Sequence, residues 1–196
     1  MLARVSFLTR IDATVTDHSN ESNAVVDFWR TAGPDSWFRK DTAFDETFRA
    51  RFLDLHMAAA QRQCDAWETT AYGALALLIL LDQFPRNAFR GTGHMYATDP
   101  LARYYARRLI HAGRDADVEA GMRVFCYLPL SHSENLADQR QAVELNQPLG
   151  DPWLYHAKEH LDIVERFGRF PHRNRLLGRE TTPEEQAFLD QGGFAG

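Results

Sequence analysis

The stretch from Tyr72 to Phe84 (YGALALLILLDQF) is apolar on every side of a helical wheel and runs into Pro85. A helix without a polar face belongs at the centre of a core, with other helices packed around it. The rest of the chain supplies those helices, and its strand signals are weak. Between Asp41 and Trp67, Phe44, Phe48, Phe52, Leu55 and Ala59 fall on one face at helical spacing. Ser22 can cap a first helix through Val25, Phe28 and Trp29, stopped by Gly33 and Pro34. Asp99-Pro100 pairs an N-cap with proline at the first helical position, and Gly113 ends that helix. Asp117 can open another through Val118, Met122 and Phe125 to Leu128, broken at Pro129. Ser131–Glu134 has the form of a capping box for a helix running to Asn146. Asp151-Pro152 opens a helix ending at Phe167, with Gly168 as its left-handed cap, and Thr182–Glu185 is a second capping box. The expectation is all-α: about eight helices in stacked antiparallel hairpins. They form a single domain over residues 21–196, preceded by a tail of residues 1–20.

Several function classes are disfavoured. A net charge of −5 and a pI near 5.9 speak against nucleic-acid and anionic-membrane partners. The longest apolar run, Ala74 to Leu81, is far short of the roughly 20 residues that cross a bilayer. The patch Val5 to Leu8 is too short for a secretory signal core. Cys64 and Cys126 form no C-x-x-C pair and no metal-ligand spacing, and read as buried free thiols of a cytoplasmic protein. With no G-x-S-x-G, P-loop or G-x-G-x-x-G, no cofactor is expected.

The charge is unevenly spread. Arg166, Arg169, Arg173, Arg175 and Arg179 put +5 into fourteen residues without an acidic one, so the remainder carries −10. Three candidate clusters follow. Asp82, directly after the apolar run, sits near an expected helix end with Arg86 and Arg90 as partners. His132 would lie in the first turn of the Ser131-capped helix, where backbone N–H groups favour anions, beside Glu134. His156 and His160 share one helix face above the basic exit, which continues through Phe170, His172, Arg173 and Asn174. Guanidiniums beside imidazoles suit a phosphate or carboxylate, but Asp82, Glu134, Asp162 and Glu165 could equally neutralise them in an internal ion-pair network. His156-Ala-Lys-Glu159-His160 matches the letters of the inverted zincin motif but lacks a well-placed third ligand.

Three long segments, LLILLDQFPRN with RG, YLPLSHSENL, and HLDIVERFGRFPHRN with LGR and TPEE, resemble a bacterial family catalogued as domain of unknown function 924. So does VVDFWR…WFRKDTAFDETFRARF, and together the likeness covers roughly residues 22–190. The resemblance implies a tetratricopeptide-like helical fold and brings no established reaction. Its motifs fall here on Asp82, Arg86, Asn87, Arg90, His132, Glu134, His160, Arg166, Arg169, His172, Arg173 and Asn174. His156 and Glu159 lie outside the pattern.

The leading expectation is a pocket for a small phosphate- or carboxylate-bearing molecule. Asp82, Arg86, Arg90, Arg166, Arg169, His172, Arg173 and Asn174 would bind, and His132, His160 and Glu134 would carry any acid/base chemistry. The alternatives are a metal-dependent hydrolase using His132, His160, His172 and Glu134, and a peptide-binding helical scaffold whose charges only hold its hairpins in register. Self-association is compatible with all three.

Overall fold

The computed structural model describes residues 9–194 and contains no strand among them. The chain opens with α1 (Thr9–Ala32), a short α2 (Pro34–Trp37) and α3 (Thr42–Ala60). Next, α4 (Ala71–Leu78) passes through a π turn (Ile79–Gln83) into α5 (Phe84–Ala88). There follow α6 (Asp99–His111), α7 (Val124–Ser131), α8 (Leu136–Asn146), α9 (Trp153–Phe167) and α10 (Pro183–Asp190). The apolar run lies where its composition requires: Leu75, Leu77, Ile79, Leu80 and Leu81 are all 0% exposed. Around it α4 meets α1, α6 and α7, while α7 packs on α8 and α8 on α9. The phenylalanine face of α3 closes on α1, with Phe48 centred 5.1 Å from Phe28 and 5.3 Å from Trp29. Such ring pairs add roughly 0.5–1.5 kcal/mol each beyond the area they bury.

The caps expected at Gly113, Gly168 and Thr182 hold, and Asp41, Thr70 and Asn135 add side-chain caps that the sequence pattern did not single out. Asp41 accepts from the N–H groups of Ala43 and Phe44 at the start of α3. Gly168 takes φ 71° after α9, and Thr182 and Glu185 form the reciprocal box at α10. Several boundaries differ from expectation, among them the N-caps expected at Asp99 and Asp151, which fall one residue away on Thr98 and Pro152. The first helix does not start at Ser22 but runs from Thr9, so the expected tail of residues 1–20 falls partly on helix and, over 1–8, outside the described residues. The pattern from Asp41 to Trp67 breaks after Ala60, where Arg62 turns left-handed (φ 64°). Asp117 belongs to a 3-10 turn; α7 begins at Val124 and carries Pro129 within it to Ser131. Ser131 therefore caps nothing: the N-cap of α8 is Asn135, whose side chain accepts from Ala137 and Asp138. His132 lies at the C-terminal end of α7, away from any helix N-terminus.

The helix through the core also continues past Pro85 instead of stopping there. Proline has no N–H to donate, and its ring crowds the carbonyl four residues back, that of Leu81. The π turn just before it widens the helix at this point. Side-chain donors reach four successive carbonyls of the turn. His56 Nδ1 is 2.9 Å from Leu80 O, Thr98 Oγ1 2.6 Å from Leu81 O, Arg86 Nη1 2.7 Å from Asp82 O and Asn87 Nδ2 2.9 Å from Gln83 O. A carbonyl only accepts, so His56 carries its proton on Nδ1. Thr98 makes no side-chain capping bond at the α6 N-terminus, so its hydroxyl serves the π turn. Thr98→Val, which keeps the shape and removes the donor, is expected to cost about 1–2 kcal/mol in urea unfolding, with Thr98→Ser retaining most of it. A valine variant as stable as the parent would contradict this role.

Candidate functional site

The π turn sets Asp82 into the interior, 1% exposed, although a charge there is costly unless partnered. Its Oδ1 lies 2.8 Å from His132 Nδ1 and 3.2 Å from Arg86 Nη1, and Gln83 Nε2 donates to Oδ2 at 2.5 Å. Arg86 in turn grips Asp99 with both Nη groups, at 2.9 and 3.1 Å. Asp99 sits in the first turn of α6, where negative charge is favoured, and is 3.6 Å from Arg173 Nη1. Arg173 Nη1 then donates to His132 O at 3.0 Å. The contacts close a ring: His132, Asp82, Arg86, Asp99, Arg173 and back to His132. Its two carboxylates balance its two guanidiniums.

Burial alone would raise the Asp82 carboxyl, but Arg86 and His132 outweigh it and hold it well below the usual carboxylate range. Burial, then Arg86, pushes the His132 imidazole below its ordinary value, although Asp82 pulls the other way. A neutral imidazole beside an ionised carboxylate donates from the facing nitrogen. His132 is therefore protonated on Nδ1, and its lone pair is on Nε2. This is the arrangement of a general base oriented by a buried carboxylate.

Two further imidazoles adjoin the ring. His160 is 6.1 Å from His132 between ring centres and donates from Nδ1 to Ser131 O at 3.1 Å. His172 and His160 both pack on Phe170, at 5.7 and 5.3 Å, and on Phe194, at 5.2 and 4.7 Å. Burial drives each to about 3, with His132 and Arg173 adding to the shift at His160 and Arg173 and His132 at His172. The Arg173 guanidinium lies 4.7 Å from the centre of the Tyr96 ring and 4.4 Å from that of Phe170. Burial and Arg86 push it down to about 10. Arg173 Nε and His172 Nδ1 are buried without a partner.

The site residues expected from sequence thus divide. Asp82, Arg86, His132 and Arg173 form the ring, with His160 and His172 against it. The others brace the chain elsewhere. Glu134 has no capping role: it takes both Arg179 Nη groups, at 2.6 and 2.9 Å, and the N–H of Phe170 at 2.8 Å. Arg169 grips Glu185 at 2.6 and 2.8 Å, Asn174 donates to the same carboxylate at 3.2 Å, and Arg166 meets Glu184 at 3.1 Å. Arg90 is held by Asp45 at 2.9 and 3.1 Å. Among the described residues no three His, Cys, Asp or Glu side chains are placed to hold a metal ion, and His156 is exposed while His160 is buried. Sequence reasoning missed Asp99, Tyr96 and Phe194. Asp99 looked fully explained as a helix start, and nothing in the local pattern marks the other two.

A model of a bacterial protein family of unknown function, DUF924, matches residues 25–193, and the chain belongs to that family. The chain is also similar to the solved structure of a protein of unknown function from Agrobacterium tumefaciens. The two are 59% identical with a TM-score of 0.87, over 89% of this chain and 99% of that one. No curated protein matches.

The buried imidazoles predict an acid-sensitive fold. His160 and His172 bind a proton at about 3 when folded and near the ordinary 6.5 when unfolded. Between those values the unfolded chain holds more protons, so stability is fully present above 6.5 and falls as pH drops toward 3. Each imidazole contributes a slope of up to about 1.4 kcal/mol per pH unit. The lowered carboxyls of Asp82 and Glu185 add to the decline only below their unfolded values of 3.8 and 4.5, beneath the pH 7 to 5 range of the test. Urea unfolding from pH 7 to 5 should show the decline, and His160→Asn, which keeps the donor to Ser131 O, should remove one proton's worth of it. A flat profile would contradict neutral burial.

Proposed function

We propose that this DUF924 chain binds a small carboxylate- or phosphate-bearing molecule beside the His132–Arg173 ring and uses His132 as a general base. The observation that carries this reading is the 2.8 Å contact from Asp82 to His132 Nδ1, because it leaves Nε2 as the nitrogen that can take a proton. The anion preference is supported by Arg173 and His172. Arg86 and Arg173 bring two guanidiniums close to His172, and Arg173 Nε and His172 Nδ1 are each buried without a partner. Unpaired buried groups cost about 1–3 kcal/mol each, and a bound anion would recover part of that. Arg173 would then offset negative charge developing on the ligand as His132 removes its proton.

The reading narrows the residue set. Asp82 positions His132; Arg86 and Asp99 position Asp82 and Arg173. Glu134, Arg166, Arg169, Asn174 and Arg90 act as braces, since each is bound to a partner outside the ring. The dense ionic ring favours a small ligand over a peptide laid in an apolar groove.

The test is a titration with inorganic phosphate and a panel of small mono- and dicarboxylates, followed by the His132 ring and Arg173 Nε–H resonances. At least one ligand should shift both signals saturably. His132→Asn, which keeps a donor for Asp82, should still bind, and Arg173→Gln should not. Silence of the unsubstituted protein across the panel would overturn the proposal.

A further inference from the structure

The segment after α10 folds back so that Phe194 lies on two of the site's imidazoles, 4.7 Å from His160 and 5.2 Å from His172 between ring centres. Its path depends on two glycines. Gly192 adopts φ 80°, a conformation that side chains with a Cβ rarely take. At Gly193 the chain passes so close over α10 that a Cβ would stand 2.6 Å from both the ring and the carbonyl oxygen of Phe188. Since one of those atoms is backbone, no side-chain rotation relieves the clash. The turn is held by two backbone bonds, Gly192 N–H to Leu189 O at 3.1 Å and Gly193 N–H to Phe188 O at 3.0 Å. Both bonds are local to the end of α10. Among the described residues, contact with the protein beyond α10 is made by one half-buried ring, packed against Ile163, Val164 and Phe170 and separate from the main core. A ring held by so few contacts can lift without unfolding what it covers.

We infer that Gly192–Phe194 is a strap over the site, with Phe194 the gate that covers His160 and His172 until it lifts. The inference rests on the reading of this cluster as a ligand site for its purpose, though its geometry stands apart from that reading. His160 is 6% exposed with the ring in place, and its Nδ1 is engaged by Ser131, so access concerns the remaining nitrogen. A gate of this kind admits ligand and then excludes water from the His160 and His172 side of the site, beside His132.

Two substitutions act on the strap by unrelated means. Gly193→Ala blocks the fold-back, and Phe194→Ala removes the gate. The readout is the rate at which diethyl pyrocarbonate modifies each histidine near neutral pH, resolved by mass spectrometry. His160 and His172 should react slowly in the parent and several-fold faster in both variants. The exposed His94 and His111 should be unchanged. His56, 0% exposed in the main core, should stay protected. Unchanged reactivity of His160 and His172 in both variants would overturn the strap. Reactivity of His56 alongside them in both would also overturn it, by making the segment a structural support. If both variants expose His160 and His172 while the anion panel stays silent in every form, the strap stands and the ligand reading falls.

Discussion

The carboxylate of Asp82 is buried in the most apolar part of the chain, and its neutralisation organises much of what surrounds it. It faces the guanidinium of Arg86, the ring nitrogen of His132 and the amide of Gln83. Through Arg86 it is coupled to Asp99 at the head of α6, and through Asp99 to Arg173 beyond α9. One charge in the core thus sets the mutual positions of the central helix, α6, the end of α7 and the segment after α9. Removing one member of such a ring leaves its partner buried and uncompensated, which is far more costly than the pair's net worth. That dependence explains why charged residues are kept in a core that could have been apolar. It also gives the site its rigidity, since His132 cannot turn without breaking its bond to Asp82.

The position of Asp82 traces to a backbone event. Pro85 interrupts the hydrogen bonding of the central helix, and the chain widens into a π turn just before it. Four side chains from three elements then meet the carbonyls of that turn. Arg86 does both jobs, binding the carbonyl of Asp82 as well as its carboxylate. The scaffold and the candidate chemistry share the same atoms here, so changes meant to probe one will register in the other.

The sequence made the helical class, the central helix and the caps at Gly113, Gly168 and Thr182 legible because these are local. The apolar run needs burial on all sides, Thr182 caps within three residues, and Gly168 needs only its own φ. Of the site residues, Asp82, Arg86, His132 and Arg173 could be singled out, as charge or imidazole where local rules give no reason for them. What could not be read was pairing. The basic exit looked like an unbalanced patch because the partners of Arg166, Arg169, Arg173 and Arg179 lie 18, 16, 74 and 45 positions away in sequence. Glu134 was misassigned for a related reason: Ser131 and Glu134 have capping-box spacing, but Asn135 offers a competing cap, and only the tertiary contact to Arg179 decides between them. Pro85 was read as a stop because a π turn rescued by side chains from α3 and the α6 N-terminus leaves no local mark.

The claim on which the rest turns is that His132 is a neutral imidazole, protonated on Nδ1 and held there by Asp82. Nitrogen-detected NMR of the His132 ring across a pH series tests it directly. The account predicts the Nδ1–H tautomer at neutral pH and protonation below the ordinary 6.5, with the tautomer preference lost in Asp82→Asn. An Nε2–H ring, or a His132 that charges above 6.5, would contradict it.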